Sequence, residues 1–537
     1  AFVNGKQIGK VTHKQLYKNL ISGKKYEIMP EPKGMKGDIL GENECLRKDN
    51  HIFLEALILS KHKIFGASSE HTEFEDQQSF FNEAEQEYAE KTEEPVKKDV
   101  KGYVRKSAKT KRDEIIKNIE TEVITCTIPE NEQICPRCGS KMKVVGKKYV
   151  REEVELIPAK LIVKKYYSNT YGCKKCEKKN MPVFLHGLVP APVLPHSLAS
   201  ASTAAWVIYQ KYVNAVPLHR QEKDWERLGY VLSRTTMANW IIRCSEDYFS
   251  KFVERLKTEM LKEKILHCDE TYIKVLKERN VSSESKQYMW VYRTGKHSDR
   301  QIVIYDYNKS RSGDVPKAFL GDYDGYLHTD GYSGYNKLNK VTHCNCLAHV
   351  RRKFHEAIIV DSEDSIAKTA RDFCDKLFAI ESELDKLTTE ERFKERLTQE
   401  KPVFEAFWSW AEKVAPTVLP KTQLGKAFEY AFKRREYLGN YFKNGDCAIS
   451  NNAAENAIRP FTVGRKNWLF SDTPMGAKAS AAIYSIVETA KANGLDVFKY
   501  FELLLTVLPS MEFLTNPDIL EELMPWNISV QKICKAT

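Results

Sequence analysis

Short apolar segments between residues 263 and 355 predict the strands of a sheet. Each is rich in β-branched and aromatic residues and only a few residues long, which is typical of strands rather than helices. In order, the segments are ILHCDETYIKVL, QYMWVYRTG, QIVIYDYN, GYLHTD and VTHCNCLAH. Helical spacing predicts a helix near Val315–Leu320 and another through Val350–Phe354. Strands connected by helices predict a mixed α/β sheet with flanking helices, which forms the first part of the core.

Helical patterns flank this region on both sides. Residues 183–262 predict mostly helices, including two joined by a glycine turn, the second with Ser233 as its N-cap. Residues 356–445 are helical and rich in charge, so we interpret them as an insertion in the core. Residues 446–510 predict the second part of the core. They contain the helical stretch GAKASAAIYSIVETAKANG, whose last glycine is placed to end a helix.

The two ends of the chain carry weaker patterns. Residues 1–37 show no clear period and stay unassigned, and residues 511–537 are predicted as a C-terminal tail. Residues 38–68 predict one amphipathic helix, either a short zipper or a helix packed on its own protein. Residues 69–118 predict a flexible linker, because a block with ten acidic residues precedes a block with eight basic residues. The basic block could touch DNA phosphates, but a solvated tether fits its composition better.

Four cysteines between residues 119 and 182 have the spacing of a zinc ribbon. Cys135 and Cys138 form one CxxC pair, Cys173 and Cys176 form the second, and 34 residues separate the pairs. The intervening sequence VELIPAKLIVKKYYSNTY is strand-like. Four thiolates fill a tetrahedral site, so the predicted Zn²⁺ is structural rather than catalytic. The alternative, four unrelated cysteines, explains the paired spacing less well.

Composition narrows the class of protein. A chain of 537 residues with 42% hydrophobic content has enough material for several domains and a large core. The formal net charge of +11 is compatible with a polyanion partner and also with an ordinary solvated surface. No apolar segment is long enough to predict a membrane span. The absence of a signal-peptide pattern and of regular cysteine spacing predicts a cytoplasmic protein.

Three carboxylates occur where a nucleic-acid-cutting enzyme would use them. Asp269 follows the apolar run ILHC, Asp330 lies at a strand-to-turn position, and Glu455 lies in the first turn of a helix after the N-cap cluster Ser-Asn-Asn. Acids from strand ends and a helix can hold two divalent ions, which activate a water or a 3′-hydroxyl and stabilise the leaving oxygen. Mg²⁺, or Mn²⁺ in its place, suits a few carboxylates plus waters and phosphates. Taken singly, each acid could instead end a strand, form a turn or cap a helix.

Basic residues follow the third acid. Arg459 lies one helical turn beyond it, and Arg465 and Lys466 are predicted in a loop after the next proline. Cations beside a metal-binding carboxylate favour contact with the DNA backbone. The alternative is that they pair with acids of the charged insertion, such as Glu381 or Glu383.

Two helices offer further candidate DNA contacts. The helix that follows Ser233 resembles the recognition helix of a helix-turn-helix, with Arg234, Thr235 and Asn239 available for a groove. A helical hairpin whose polar face sees solvent fits nearly as well. His349 and Arg352 share one face of the helix through Val350, so they belong either to a DNA-binding site or to an ordinary surface face.

Three metal-binding side chains, His343, Cys344 and Cys346, lie close together in VTHCNCLAH. They could form a second metal site. Small residues in a central strand explain the two cysteines better, since free cysteine behaves as a small buried hydrophobe.

The order of these motifs is similar to that of one known family. The HCDET, HTDGYSGY, CLAHVRRKF and NNAAENAIRPFTVGRKNWLF stretches follow a zipper-like helix, a CxxC ribbon and a helical segment. Together they resemble the IS66 family of bacterial insertion-sequence transposases, over roughly residues 40–510. Residues 1–37 lie outside the resemblance, and Met35 is a candidate for the true start.

The resemblance implies an RNase H-like fold with a helical insertion before the third acid. It implies an enzyme that cuts and joins transposon-end DNA, with Asp269, Asp330 and Glu455 as the catalytic triad and magnesium as cofactor. The implied partners are double-stranded DNA, further copies of the chain in the end complex, and companion proteins of the same element, at the bacterial nucleoid. Two alternatives stay open: an RNase H-like nuclease that cuts without joining, and a domesticated zinc-ribbon regulator that binds DNA without cutting.

Overall fold

The computed structural model describes three short N-terminal strands and most of the chain after residue 160. The described residues are 2–3, 6–7, 26–27, 161–172, 184–186, 189–278, 286–358 and 365–536. The predicted zipper-like helix, the charged linker and the four ribbon cysteines lie outside them. The chain divides into two units, residues 1–70 and 71–537. In the first, β1 (Phe2–Val3) pairs antiparallel with both β2 (Lys6–Gln7) and β3 (Tyr26–Glu27).

A short hairpin begins the described part of the second unit. β4 (Thr170–Gly172) pairs antiparallel with β5 (Phe184–His186). In sequence, Cys173 and Cys176 fall between these two strands. The two strands therefore flank the second cysteine pair in sequence.

Between residues 189 and 262, four helices precede the central sheet, as the helical spacing of residues 183–262 predicted. They are α1 (Ala201–Tyr212), α2 (Leu218–Arg227), α3 (Arg234–Cys244) and α4 (Ser250–Met260). A π-helical turn joins α3 to α4. Gly229 connects α2 to α3 with a φ of 84°, which glycine adopts without strain. Ser233 caps α3 as predicted, because its side chain accepts a hydrogen bond from the Thr236 amide.

A five-stranded mixed sheet forms the centre of the second unit. Its strands are β6 (Ile265–Ile273), β7 (Gln287–Thr294), β8 (Val303–Asn308), β9 (Tyr326–Thr329) and β10 (Thr342–Asn345), in the order β10-β9-β6-β7-β8. β6, β7 and β8 are antiparallel neighbours, whereas β9 is parallel to both β6 and β10. Helix α5 (Asp314–Leu320) connects β8 to β9. All five strands lie in the predicted segments, which confirms the mixed sheet with flanking helices.

The helices after β10 form a second hydrophobic core beside the sheet. They are α6 (Leu347–Glu356), α7 (Ile366–Leu384), α8 (Thr389–Glu395), α9 (Lys401–Val414), α10 (Gln423–Phe432) and α11 (Arg435–Leu438). Cys344 of β10 is buried in this core. β10 is the outermost strand in the sheet order, so the prediction of a central strand there is wrong. Cys344 is buried because the helices cover the edge.

Four helices complete the chain: α12 (Asn452–Trp468), α13 (Pro474–Ala492), α14 (Val497–Val507) and α15 (Ile528–Cys534). α12 continues through Pro460, so the prediction of a loop containing Arg465 and Lys466 is wrong. Proline removes one helical hydrogen bond. The helix persists because the residues around the proline, Ala457, Ile458 and Phe461, are buried in the main core. α13 ends as predicted at Gly494, whose φ is 70°.

Side chains of α13 accept hydrogen bonds from backbone amides at the β8 edge of the sheet. The Tyr305 amide donates to Ser485 Oγ (2.8 Å), and the Val303 amide donates to Thr489 Oγ1 (3.0 Å). Ser485 and Thr489 are one helical turn apart, so they match alternate residues of the strand. This edge is covered rather than open. None of the helices in the described ranges is long and apolar enough to span a bilayer.

Candidate active site

The middle strand of the sheet carries the first acid. Side chains alternate along a strand, so His267, Asp269 and Thr271 share one face of β6. α12 lies along that face: the Nδ1–H of His267 donates to Asn451 Oδ1 (3.0 Å), and Arg465 Nη1 donates to Thr271 Oγ1 (3.0 Å). Asp269 lies between these contacts and faces α12.

The second acid leaves the neighbouring strand beside the first. The parallel pairing of β6 with β9 aligns His267 with His328. Asp269 and Asp330 each follow the last paired residues by two positions, and Asp330 is close enough for its charge to raise the pKa of Asp269. Asp330 Oδ1 accepts a hydrogen bond from the Tyr332 amide (2.8 Å), which fixes the turn after β9.

The third acid lies in the first turn of α12, as predicted. Only 3% of the Glu455 side chain is exposed, and His349 Nδ1 of α6 lies 3.7 Å from its Oε1. Ligating atoms of Cys346, His349 and Glu455 all lie within 4.8 Å of one another. Asn451 occupies the N-cap position, but its side chain does not cap the helix. The side-chain Nδ2 of Asn451 donates instead to the Cys268 carbonyl (3.0 Å), which connects the start of α12 to β6.

Electrostatic interactions connect the three acids. Burial raises the pKa of the Asp269 carboxyl well above its ordinary value, and the negative charges of Glu270, Asp330 and Glu455 raise it further. The predicted acids therefore converge, although they come from a strand, a turn and a helix. Within the described ranges, neither Asp269 nor Asp330 forms an ion pair with lysine or arginine.

Glu270, the neighbour of Asp269, is engaged on the other face of β6. Its Oε1 accepts from Arg311 Nε (2.7 Å), and its Oε2 accepts from the Tyr335 hydroxyl (2.7 Å). The Arg311 guanidinium also stacks over the Tyr332 ring at 4.1 Å. These contacts hold Glu270 in place and support the turn that carries Asp330. Arg311 has no distinctive sequence context, and the sequence did not indicate it.

His349 is a neutral side chain in this site. Burial lowers its pKa to about 3, and the positive charges of Arg352, Lys353 and Arg434 contribute to the same direction. The ring can accept a hydrogen bond or ligate a metal, but it adds no charge at neutral pH. Arg352 is 21% exposed, and its Nε lies 3.7 Å from Glu356 Oε1.

The insertion reaches the second acid, which the sequence did not indicate. The Tyr430 hydroxyl donates to the Asp330 carbonyl (2.9 Å), and Arg434 Nη2 donates to the Gly331 carbonyl (2.9 Å). Gly331 has a φ of 82°, and a Cβ there would lie 2.4 Å from Arg434 Nε. The contacts join residues about a hundred positions apart, so no local pattern could reveal them.

The three cations after Glu455 have different surroundings. Arg465 is 9% exposed, donates to the Tyr272 carbonyl as well as to Thr271, and lies 3.9 Å from the centre of the Tyr272 ring. Arg459 is half-buried, and Lys466 is exposed. The acid proposed as an alternative partner, Glu381, is bound instead by Arg396 Nε (2.9 Å). Glu381 is therefore not the partner of these three cations.

The candidate helix-turn-helix has the predicted exposed face. Arg234, Thr235 and Asn239 are all exposed on α3, whereas Met237 and Trp240 are buried beneath them. The polar face is available to a ligand and is equally suited to solvent.

Comparison with protein families identifies the chain. A family model described as "Transposase IS66 family" matches residues 196–479, which include all three acids. The chain belongs to the IS66 transposase family. A second model, "zinc-finger binding domain of transposase IS66", matches residues 132–177, and "IS66 C-terminal element" matches residues 485–526. An IS66 transposase is a nucleic-acid-processing enzyme of DNA transposition, and its zinc-finger domain supports structural zinc.

Proteins similar to this IS66 transposase occur in Sinorhizobium fredii. Uncharacterized protein y4hP is 26% identical over 401 residues, covering 71% of this chain and 70% of the relative. Uncharacterized protein y4qI is 30% identical over 381 residues, covering 65% of this chain and 66% of the relative. Among solved structures, the Drosophila P element transposase strand transfer complex matches with 13% identity and a TM-score of 0.33, over 54% of this chain and 92% of that one.

Proposed function

We propose that this IS66 transposase cuts and joins the DNA ends of its insertion sequence by DDE chemistry on an RNase H-like core. The observation that carries the proposal is the convergence of Asp269 in the middle of β6, where the sequence predicted a strand end, with Asp330 just after β9 and Glu455 at the start of α12. The mixed sheet, with the first acid on its middle strand, is consistent with that core. The two alternative functions involve the same residues. A nuclease would cut DNA without joining it, and a regulator would bind DNA without cutting it.

The residues present fit a pair of divalent metal ions. Asp269 is surrounded by like-charged carboxylates and, within the described residues, forms no ion pair with a basic side chain. A bound cation would therefore reduce the electrostatic repulsion between these carboxylates. Oxygen donors of this kind suit Mg²⁺ or Mn²⁺. Asp269, Asp330 and Glu455 would hold the ions, with His349 as a neighbouring neutral donor. Such ions, when bound, activate the attacking oxygen and stabilise the leaving oxygen of a phosphodiester.

The chain's own residues fix the positions of these carboxylates. Asn451 holds the start of α12 on β6, and Arg465 holds its last turn on the same strand. Tyr430 and Arg434 hold the turn after β9 from the insertion side. Each acid is thus positioned by a contact between elements, which is what precise placement of a reacting phosphate requires.

DNA would be bound by cations that are at least partly accessible around this site. Lys466 and Arg459 lie on α12 beyond Glu455, and Arg352 lies on α6 one turn beyond His349. We propose these for contacts with the phosphate backbone. Arg465 supports α12 in this proposal and does not reach DNA, because its guanidinium is committed to β6. The exposed face of α3 is the proposed surface for reading the transposon end.

Further parts of the proposal concern the rest of the assembly. Cys135, Cys138, Cys173 and Cys176 would bind one structural zinc ion. Two transposon ends must be brought together for joining, so the active form would be a homo-oligomer, with companion proteins of the same element. The site of action would be the bacterial nucleoid in the cytoplasm.

Joining of end DNA tests the proposal. Purified protein is incubated with labelled DNA carrying its element's end, a target plasmid and Mg²⁺. We expect strand-transfer products from the wild type and none from Asp269→Ala, Asp330→Ala or Glu455→Ala, each of which should keep end-DNA binding. Cleavage without joined products would favour the nuclease. Binding with neither activity would favour the regulator.

A further inference from the structure

We propose that the core contains a second zinc-class metal site, formed by His328, Cys344 and Cys447. A ring nitrogen of the histidine and the two sulfurs lie within 4.8 Å of one another. The three side chains come from β9, from β10 and from the segment that leads into α12. The site uses none of the ribbon cysteines and none of the three acids, and it does not depend on the proposed function.

His328 lacks the partner that a buried histidine requires. The residue is 1% exposed, and within the described residues neither ring nitrogen has a hydrogen-bond partner. His267 stacks on the face of its ring, with the ring centres 4.5 Å apart. Stacking uses the face of an imidazole and leaves the nitrogens at its edge, where a metal binds. A buried polar atom without a partner is costly, and a metal ion on this edge would remove that cost.

The two thiols supply soft sulfur donors, and as two thiolates they match the charge of a divalent ion. Cys344 and Cys447 are each 1% exposed, both are free, and their sulfurs lie within 4.8 Å of each other. Sulfur and imidazole donors select zinc-class ions rather than Mg²⁺. Two thiolates and one neutral imidazole balance the charge of Zn²⁺. Tetrahedral coordination separates such donors by roughly 3.3–3.8 Å, so binding needs only a small contraction of the cluster.

The position of the cluster suggests what the ion would do. His328 precedes Asp330 by two residues, and Cys447 precedes Glu455 by eight. The Cys447 carbonyl is already held by buried Arg396, whose Nη2 donates to it at 2.7 Å. A metal here would fasten the end of the insertion to β9 and β10. It would thereby help to set the distance between the second and third acids.

The competing explanation is that three side chains merely fill the seam between the sheet and the insertion. Packing alone requires no metal, and the zinc content of the protein then comes from the ribbon only. The two explanations therefore differ in a number that can be measured directly.

Zinc content of the full chain tests the proposal. The protein is purified under reducing conditions, and bound zinc is measured by mass spectrometry of the metal. The decisive variant carries Cys135→Ser and Cys138→Ser, which removes the ribbon site. We expect this variant, if folded by circular dichroism, to keep one zinc per chain. Loading it with Co²⁺ should give the absorption of a cobalt–thiolate site.

Variants of the cluster complete the test. In the ribbon variant, Cys447→Ser or His328→Gln should reduce the remaining zinc to near zero, whereas Cys374→Ser, which changes another buried free cysteine, should leave it in place. Absence of zinc from the folded ribbon variant overturns the proposal, and so does zinc that survives Cys447→Ser. A Cys344–Cys447 disulfide in protein kept under reducing conditions would also overturn it.

Discussion

Arg465 shows how the surroundings of a residue decide its role. From the sequence it is one of three cations after the third acid, and all three have the same apparent reason to bind DNA. In the structure its guanidinium is buried between Thr271 and Tyr272, whereas the adjacent Lys466 is exposed. Chemical type and spacing could be predicted from the sequence. Burial could not, because it depends on the packing of α12 against β6.

This difference gives a matched pair of substitutions. Arg465→Ala should lower the thermal stability of the protein, because it removes the hydrogen bonds between the end of α12 and β6. It should not change the salt dependence of DNA binding. Lys466→Ala should keep thermal stability and flatten the slope of log affinity against log salt by roughly 0.9 for one lost phosphate contact. A melting curve and a salt titration on each variant check both expectations, and an interchange of the two results would contradict the assignment.

Asp306 on β8 provides a test by pH. Burial raises its pKa to about 6, although Lys257 and Lys478 act in the opposite direction. An acid with a raised folded pKa binds more protons when folded, so its contribution to stability is lost as the pH rises from about 4 to about 6. Asp306→Asn should therefore raise the melting temperature at pH 7.5 and have little effect at pH 4.

The control for this experiment is Asp322→Asn. Asp322 is exposed, and its hydrogen bond with Lys340 lowers its pKa, which is the opposite direction. This variant should show no gain in melting temperature at pH 7.5. Equal stabilisation by Asp306→Asn at both pH values would show that burial of its charge is not the cause.

At the scale of elements, the sequence predicted the strands and most helices of the core. Their apolar patterns are local, and β6 to β10 each match a predicted segment. Two features escaped prediction because they depend on long-range packing. α12 passes through Pro460 because burial of Phe461 and its neighbours outweighs a lost hydrogen bond. The insertion was predicted as helical, but nothing in its sequence indicated that α10 reaches the turn after β9.

The contact between the insertion and that turn can be tested at Arg434, which follows α10. Arg434→Ala removes the hydrogen bond to the Gly331 carbonyl and the stacking on Tyr430, whose ring centre lies 3.6 Å from the guanidinium. Asp330 should then be less well positioned, and cleavage should slow by about tenfold or more, because small displacements are costly in catalysis. DNA affinity should change little. Rates and affinities are measured on the same end DNA.

The adjacent arginine is the control for this substitution. Arg435 is exposed and bound to Glu412 rather than to the active-site turn. Arg435→Ala should cleave at nearly the wild-type rate. If both arginine variants lose activity equally, the insertion does not position Asp330.

On the scale of the whole molecule, family membership rests on several separate segments. The family match spans the three acids, the zinc-finger match covers the four cysteines, and the C-terminal match covers residues 485–526. Residues 511–536, predicted as a tail, contribute to the main core: Leu520, Met524 and Val530 are buried there. Their apolar positions are too few and irregular to indicate a packed segment from sequence.

The ribbon is expected to be a separately folding part that requires its metal. Cys135→Ser should remove one zinc per chain and make residues 119–182 sensitive to protease, because four-thiolate sites fold with their metal. The core after residue 189 should stay resistant. Limited proteolysis followed by mass spectrometry, together with metal analysis, checks this. Unchanged zinc content would exclude Cys135 as a ligand.

The most direct measurement asks whether the three acids bind the catalytic metal. Asp269→Cys, Asp330→Cys and Glu455→Cys each replace an oxygen donor by sulfur, which Mn²⁺ accepts more readily than Mg²⁺. Cleavage of end DNA is measured for each variant with either ion, beside the same acids changed to alanine. We predict no cleavage with Mg²⁺, partial recovery with Mn²⁺ in the cysteine variants, and none in the alanine variants. Wild-type cleavage with Mg²⁺ by any cysteine or alanine variant would contradict the assignment of that acid as a metal ligand.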